Sequence, residues 1–436
     1  MSDLAERIGS RFEWMSRDEL TAWQGEALQR SVAQAAKSPW YAAKFKEVGL
    51  DPGDIKTASD ISRLPFTTKD DLRLSYPDKM LSVDPEQVIR LHTSSGTTGT
   101  PTAIFHTRQD IENWAELMAR CLAATGASSR DIFQNMTGYG MFTGGLGLHY
   151  GAERLGMWVL PVGAGNTARQ IKLIRDFHVT CIHATPSYAM HVAERMLEEG
   201  DDPKSLNLKR AFLGAEPYSE ELRLKLQDIY GFKAYNSYGL SEMNGPGVAF
   251  ECVHQNGMHI WEDSYIAEIV DPDTLQPVKD GEVGELVMTT LRRTAMPLIR
   301  YRVRDLTRFL EGECDCGRVH RRMARMVGRS DDMLIVRGVN VFPSQIEEVM
   351  LRHDWLGGNY LIHLTTAESL DQMTVKVEMA QGAFDGSLDT VRARRTELQH
   401  ELRDQIGFNA SIEIGEPGSL PASEGKAKRV IDDREK

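Results

Sequence analysis

Cysteine is scarce in the 436-residue sequence, with five residues: Cys121, Cys181, Cys252, Cys314 and Cys316. A sparse, odd-numbered set builds no secretory disulfide framework and fits a reducing compartment. Long apolar runs are missing as well. No stretch approaches the roughly 18 residues of a membrane span, and the N-terminus, MSDLAERIGSRFEW, carries acidic residues and no apolar signal core. The expected location is cytoplasmic, with no membrane contact. Basic excess is lacking too, since 51 Lys and Arg face 63 Asp and Glu for a formal charge of −12. Nucleic acid and anionic membranes need a basic face to displace counterions, so neither is an expected partner; small anions can still bind locally. Fixed-period repeats and low-complexity tracts are absent.

What is present is a chain built to bury a core, 41% hydrophobic and 26% charged, and too long for one ordinary domain. Ser16 with Glu19 predicts a capping box, and Leu20, Trp23, Ala27 and Leu28 recur on one face of the helix behind it. From about residue 130, apolar strand-like runs alternate with helical ones: MWVLPV, ARQIKLIRDF, VTCIHAT, SYAMHVAERMLEEG, RAFLGAEP, SEELRLKLQDIYG and FKAYNSYGLSE. That alternation predicts βαβ units and a parallel sheet with helices on its faces. Ligands of such sheets bind beyond the carboxyl ends of the strands. The loops expected there are TPS (185–187), GAEP (214–217) and SYGLSE (237–242). After residue 245 the texture turns β-rich, with hairpin signals at Asn256-Gly257 and at a later Asp-Gly. Beyond GRSDD (328–332), a small α+β unit of about a hundred residues follows.

Residues 94–101 read SSGTTGTP. Backbone amides of a glycine-rich bend can turn inward on phosphate oxygens, and serine and threonine hydroxyls add donors. It is not a Walker A loop, because Thr100 stands where a basic residue would be required. Taken alone, the stretch also reads as a surface turn.

Its companions give it meaning. SSGTTGTP, YGLSE (238–242), YRVRD (301–305), GRSDD (328–332) and SEGKAKR (423–429) follow one another in the order found in the adenylate-forming acyl-CoA synthetase superfamily, which the chain resembles. LPFTTKDDLR (64–73), GYGMFTGGLGLHYGAE (138–153), GLSEMNGPGVA (239–249) and DDMLIVRGVNVFPSQIEE (331–348) make it most similar to the phenylacetate-CoA ligase family over nearly its whole length. The resemblance implies an α/β fold. A large adenylation domain over 1–328 would hold the parallel βαβ layers and a β-rich part, and a small mobile α+β domain would span 329–436. It implies that a carboxylate attacks the α-phosphate of ATP to give an acyl adenylate and pyrophosphate, after which coenzyme A displaces AMP.

Carried over residue by residue, the resemblance gives Ser94, Ser95, Gly96, Thr97, Thr98 and Gly99 to the ATP phosphates. Glu242 would hold Mg²⁺, a hard cation that prefers oxygen ligands. Gly214, Ala215, Glu216 and Pro217 would lie along the adenine and Tyr238 would stack on it, beside Asn236, Ser237, Gly239 and Ser241. Asp305 would accept the ribose hydroxyls with help from Arg329; the plainer reading of Asp305 is a surface ion pair with Arg302 or Arg304. Lys426 would neutralise charge during adenylation. Because it lies on the small domain, that domain would close for the first half-reaction and rotate for the second. Asp331 would be the hinge, and Val336, Arg337 and Gly338 would line the coenzyme A tunnel.

In the same resemblance Tyr139, Gly140, Phe142 and Gly144 form the wall of an aryl-acid pocket, with Gly145 keeping space open. Phenylacetate leads, ahead of indoleacetate, benzoate or an aminobenzoate. Tyr139 and Phe142 as plain core is the alternative. Separately, thiolates and imidazole suit tetrahedral Zn²⁺, and Cys252, His259, Cys314 and Cys316 would close a structural site. The Asn256-Gly257 turn predicts that His254 faces His259 across a hairpin ladder, so His254 or His320 could replace His259 as fourth ligand. Other readings of the chain are an enzyme that loads a carrier-protein thiol and a nucleotide sensor without chemistry. A homodimer is compatible with the resemblance.

Overall fold

The Ser16 capping box forms as its spacing predicts, and it starts helix α1 (Arg17–Ala35). The Ser16 hydroxyl accepts from the Glu19 amide at 3.2 Å, and the Glu19 carboxylate accepts from the Ser16 amide at 2.8 Å. Helix α2 (Pro39–Glu47) follows. The buried side chains Ala27, Leu28, Val32, Tyr41 and Phe45 pack with Leu291 and Ile299, which fastens the N-terminal helices to the β-rich part of the chain. This computed structural model describes residues 10–93, 101–141, 143–216, 218–331, 334–336, 339–367, 370–384, 387–420 and 429–434. The chain divides into two units, Met1–Ala215 with Leu226–Arg325, and Glu216–Lys225 with Met326–Lys436. No helix of the described residues is long and apolar enough to cross a membrane.

In the first unit, β1 (Val88–Thr93) and β2 (Ala103–Thr107) form an antiparallel hairpin, and helix α3 (Arg108–Ala124) leaves β2. Next come β3 (Ile132–Asn135), α4 (Gly144–Leu155), β4 (Trp158–Leu160), α5 (Thr167–Asp176), β5 (Cys181–Ala184), α6 (Pro186–Glu198), β6 (Arg210–Gly214), α7 (Glu220–Tyr230), whose first half is counted with the second unit, and β7 (Lys233–Leu240). Strands β4, β3, β5, β6 and β7 pair in parallel in that spatial order. All four residues of β5 are buried, as a strand covered by helices on both faces requires. The predicted α/β architecture with a parallel sheet is what the chain builds.

Strand β8 (Gly245–Glu251) turns back antiparallel on β7 and leads to β9 (Met258–Ile260). With β13 (Phe309–Leu310) and β14 (Arg322–Met323) these complete a sheet of nine strands among the described residues. A separate antiparallel ladder joins β10 (Tyr265–Val270), β11 (Gly284–Thr290) and β12 (Tyr301–Thr307).

The hairpin register between β8 and β9 differs from expectation. His259 pairs with Phe250, not with His254, and the ladder ends at Glu251, leaving residues 252–257 as a loop. Gln255 and Gly257 both have positive φ, at 52° and 81°, so the turn is wider than an Asn-Gly pair. The Gln255 amide donates to the Ala234 carbonyl at 2.6 Å and to Gln227 at 3.0 Å, which draws the loop away from the ladder.

The second unit has its own core, in which Val336, Val341, Ile346, Ile362, Val375, Leu398 and Leu402 are buried together. Its sheet joins Leu356–Ala367 and Leu370–Met379 antiparallel, with Ser411–Gly415 and Val430–Asp432 added in parallel at the two edges. Helices Pro343–Met350 and Leu388–Ile406 supply Ile346, Leu398 and Leu402 to that core, so the unit is α+β as expected.

Candidate functional site

Parallel strands bring their carboxyl ends to one edge, and the polar loops gather there. Gly214 lies opposite Ser237 and Leu213 opposite Asn236, so the start of GAEP and the start of SYGLSE are neighbours by register. A Cβ on Gly214 would come within 2.5 Å of the Ser237 carbonyl, which explains a glycine at that place. Ala215, next along, holds a left-handed φ of 69°. The Tyr238 hydroxyl donates to Asp305 Oδ2 at 2.6 Å, joining the proposed adenine and ribose residues across two sheets. Arg302 pairs with Glu285 at 2.7 and 2.8 Å and Arg304 with the same carboxylate at 3.4 Å. Those guanidiniums therefore have a partner other than Asp305.

Glu242 lies on the turn Ser241–Met243 and is 6% exposed. Its backbone carbonyl accepts from the buried Arg293 at 2.5 Å, while its carboxylate makes no hydrogen bond or ion pair among the described residues. Burial pushes the Arg293 guanidinium below its ordinary value, against the pull of Asp110 and other nearby acids. A carboxylate without a hydrogen bond in a nearly dry turn, with the Arg293 guanidinium as its charged neighbour, has oxygens to offer a hard divalent cation such as Mg²⁺. Ser241 Oγ lies 3.3 Å from Thr143 Oγ1, which links this turn to the start of α4.

The proposed acid wall begins at the end of β3. Asn135 donates to the Gly145 carbonyl at 2.7 Å and to the Tyr139 hydroxyl at 2.8 Å. Tyr139 is half-buried, and Gly140, at φ 113°, and Met141 are exposed. A Cβ on Gly144 would meet nothing within 4 Å, whereas one on Gly145 would come within 2.5 Å of the Gly138 carbonyl. Gly145 is therefore a packing requirement and Gly144 is open. The Met141 carbonyl accepts from His92 Nδ1 at 3.0 Å, tying the wall to β1. His92, Asn135, His149 and His183 were missed in sequence reasoning; GLHYGAE, with His149 and Glu153 one helical turn apart, was the available signal for one of them.

Cys252, His259, Cys314 and Cys316 are brought together with their donor atoms all within 4.8 Å. Cys252 Sγ is 3.7 Å from Cys314 Sγ, and Cys316 Sγ is 3.3 Å from His259 Nε2. The His259 Nδ1–H donates to the His320 carbonyl at 3.1 Å, leaving the Nε2 lone pair facing the sulfurs. Cys316 is driven towards the thiolate, first by the Cys252 thiol and then, against its own burial, by His259; Cys252 is driven the other way. Three sulfurs and one imidazole nitrogen, with a backbone acceptor fixing the ring, are a donor set that fits tetrahedral Zn²⁺. His254 is exposed and outside the cluster, because the ladder it was expected to join ends before it. His320 is buried against Asp263, Glu262 and Arg120 instead.

In the second unit, Arg329 forms a forked pair with Asp331 at 2.8 and 3.0 Å, and Val336 is buried. Ser94 to Gly99, Phe142, Pro217, Arg337, Gly338 and Lys426 lie outside the described residues.

A family model described as AMP-binding enzyme matches residues 26–292, and one described as AMP-binding enzyme C-terminal domain matches 338–434. A phenylacetate-coenzyme A ligase of Escherichia coli is 45% identical over 96% of each chain. Another, of Thermus thermophilus, is 44% identical over 96% of this chain and 98% of its own. A solved structure of 2-hydroxyisobutyryl-CoA ligase, in the postadenylation state with 2-HIB-AMP, superposes with a TM-score of 0.91 at 30% identity, covering 97% of this chain and 91% of that one.

Proposed function

The chain belongs to the AMP-binding enzyme family, and from that premise we propose that it joins an aromatic carboxylic acid, phenylacetate first, to coenzyme A. The ligation is ATP-dependent and passes through an acyl adenylate. An oxygen of the carboxylate attacks the α-phosphorus and pyrophosphate leaves; the coenzyme A sulfur then attacks the acyl carbon and AMP leaves. The observation that carries the choice of acid is the 45% identity to a phenylacetate-coenzyme A ligase over 96% of both chains.

The residues take the following parts in this reading. Ser94 to Gly99 hold the phosphates, and Gly214 to Pro217 line the adenine. Asp305, held by the Tyr238 hydroxyl, receives the ribose hydroxyls. Lys426 offsets the negative charge that gathers at the α-phosphate. Arg329, which forks onto Asp331, would supply a further donor to the ribose. Glu242 would hold Mg²⁺, which when bound draws charge from the phosphate oxygens. Tyr139, Gly140, Phe142 and Gly144 form the acid wall, and Val336, Arg337 and Gly338 line the approach of coenzyme A. Zn²⁺, held by Cys252, His259, Cys314 and Cys316, would staple β8 and β9 to the turn before β14, away from the chemistry.

Purified protein is incubated with ATP, Mg²⁺ and a panel of aromatic acids, with and without coenzyme A, and AMP and thioester are followed. The reading expects phenylacetyl thioester with the highest kcat/KM of the panel. Adenylate without thioester would point to carrier loading, and no adenylate with any acid to a sensor. Metal analysis after dialysis tests the zinc.

A further inference from the structure

We propose that His149 positions the Tyr139 ring and thereby sets the affinity for the acid, an inference that rests on Tyr139 being part of the acid wall. The argument starts at Asn135, buried at the end of β3. Its side chain reaches the Gly145 carbonyl at 2.7 Å, and a carbonyl can only accept. That bond fixes which end of the amide carries hydrogen. The opposite end, Oδ1, accepts from Thr137 Oγ1 at 2.9 Å and from His183 Nδ1 at 3.0 Å, so the orientation is set twice over.

With its NH₂ so placed, Asn135 donates to the Tyr139 oxygen at 2.8 Å. His149 Nδ1 lies 3.2 Å from the same oxygen. Tyr139 and His149 are joined whichever of the two donates, and the other ring nitrogen, Nε2, faces along α4. That nitrogen lies 3.0 Å from Glu153 Oε1, four residues on along α4. The contacts run in one line from the sheet to the helix surface: Asn135 donates to Tyr139, Tyr139 hydrogen-bonds His149, and His149 lies against the Glu153 carboxylate.

The consequence is a wall residue clamped from both sides. The Tyr139 ring also meets the His149 ring edge-on, with centroids 5.8 Å apart. Asn135 belongs to the sheet and cannot move without disturbing β3, whereas His149 is on α4, its side chain 19% exposed and leading to the exposed Glu153. His149 is a positioning residue: it touches no substrate in this account, and it holds the ring that does.

A double-mutant cycle on the full-length enzyme tests this, reading KM for phenylacetate, KM for ATP and kcat. His149→Phe and Tyr139→Phe should each raise KM for the acid about threefold to tenfold, the scale of one partly exposed hydrogen bond, with kcat and KM for ATP changed less than about twofold. The double variant should be no worse than Tyr139→Phe alone, because that change already removes the tether to His149. His149→Gln, which can accept from Tyr139 and donate to Glu153, should recover most of the loss. Multiplying effects in the double variant, a Gln variant as poor as Phe, or an equal rise in KM for ATP would each overturn the role of His149. Tyr139→Leu separates the two claims. If it leaves KM for the acid unchanged, the acid-wall reading falls and this proposal with it; if it raises KM while the cycle is additive, only the role of His149 falls. Thermal midpoints of all variants guard against misfolding, and Glu153→Gln, at an exposed end of the chain of bonds, supplies a milder perturbation that should raise KM for the acid less than His149→Phe.

Discussion

Arg120 has no exposed side-chain surface, and it is held by Glu13 at 2.9 Å and by Asp263 in a fork at 2.9 and 3.0 Å. Removing the guanidinium leaves Glu13 to Arg318 and Asp263 to Arg292, two buried carboxylates short of a charge between them, and breaking such a buried network typically costs about 3–5 kcal/mol. Arg120→Met is expected to lower the unfolding free energy measured in urea by that amount, and a loss below about 1 kcal/mol would mean water reaches the network. His183 makes a separate, pH-dependent contribution. Burial pushes it down to about 4 from 6.5. Between those values the unfolded chain binds the more protons, so stability falls as pH drops from about 6.5 towards 4, by up to about 3 kcal/mol. His183→Gln should flatten that part of the urea-midpoint profile, and an unchanged slope would assign the acid loss elsewhere. Motif residues such as Tyr238, Glu242 and Asp305 were legible because they sit in fixed strings. Asn135, His149 and His183 were not, because each is an isolated polar residue whose meaning comes from neighbours brought to it by the fold.

Helices α3 and α4 meet through glycine. A Cβ on Gly147 would sit 2.5 Å from Trp114 Cζ2 and 2.7 Å from Pro246 Cγ, and one on Gly151 would sit 2.5 Å from Met118 Cβ. Gly147→Ala is expected to destabilise by about 1–3 kcal/mol through overpacking, despite the better helix propensity of alanine. A neutral or stabilised variant in chemical denaturation would show that the two helices can part without cost. The βαβ order was readable at this scale because a strand buried on both faces leaves a continuous apolar run, as β5 does. The β8–β9 connection was not, because the Gln255 tether to Ala234 and Gln227 that widens its turn joins residues far apart in sequence. The cysteine and histidine ligands came together all the same, since they come from that loop, from β9 and from the turn before β14. Chelation of a bound metal should therefore loosen β9 and β14 first. Hydrogen exchange is expected to quicken at Met258–Ile260 and Arg322–Met323 while the parallel strands keep their protection; uniform quickening would make the metal a global staple.

At the scale of the whole molecule, the two units divide the work by sequence. The first holds the loops TPS and SYGLSE with Tyr238, Glu242 and, on β12, Asp305, and a family match runs from residue 26 to 292; the second, with its own core, contains Lys426. Two half-reactions make different electrostatic demands. Adenylation gathers negative charge at the α-phosphate as the carboxylate attacks, and an ammonium there lowers the barrier. Thioester formation breaks a bond to AMP and needs the coenzyme A sulfur to reach the acyl carbon, a step in which that ammonium has no comparable charge to neutralise. Lys426→Ala is therefore expected to cut adenylate formation by about 100-fold or more, the size of a lost transition-state charge contact. It should leave thioester formation from supplied phenylacetyl adenylate within a few-fold of the parent. Single-turnover measurement of each step decides the matter, because a comparable loss in both would make Lys426 a general support of the second unit, with no particular part in the first half-reaction.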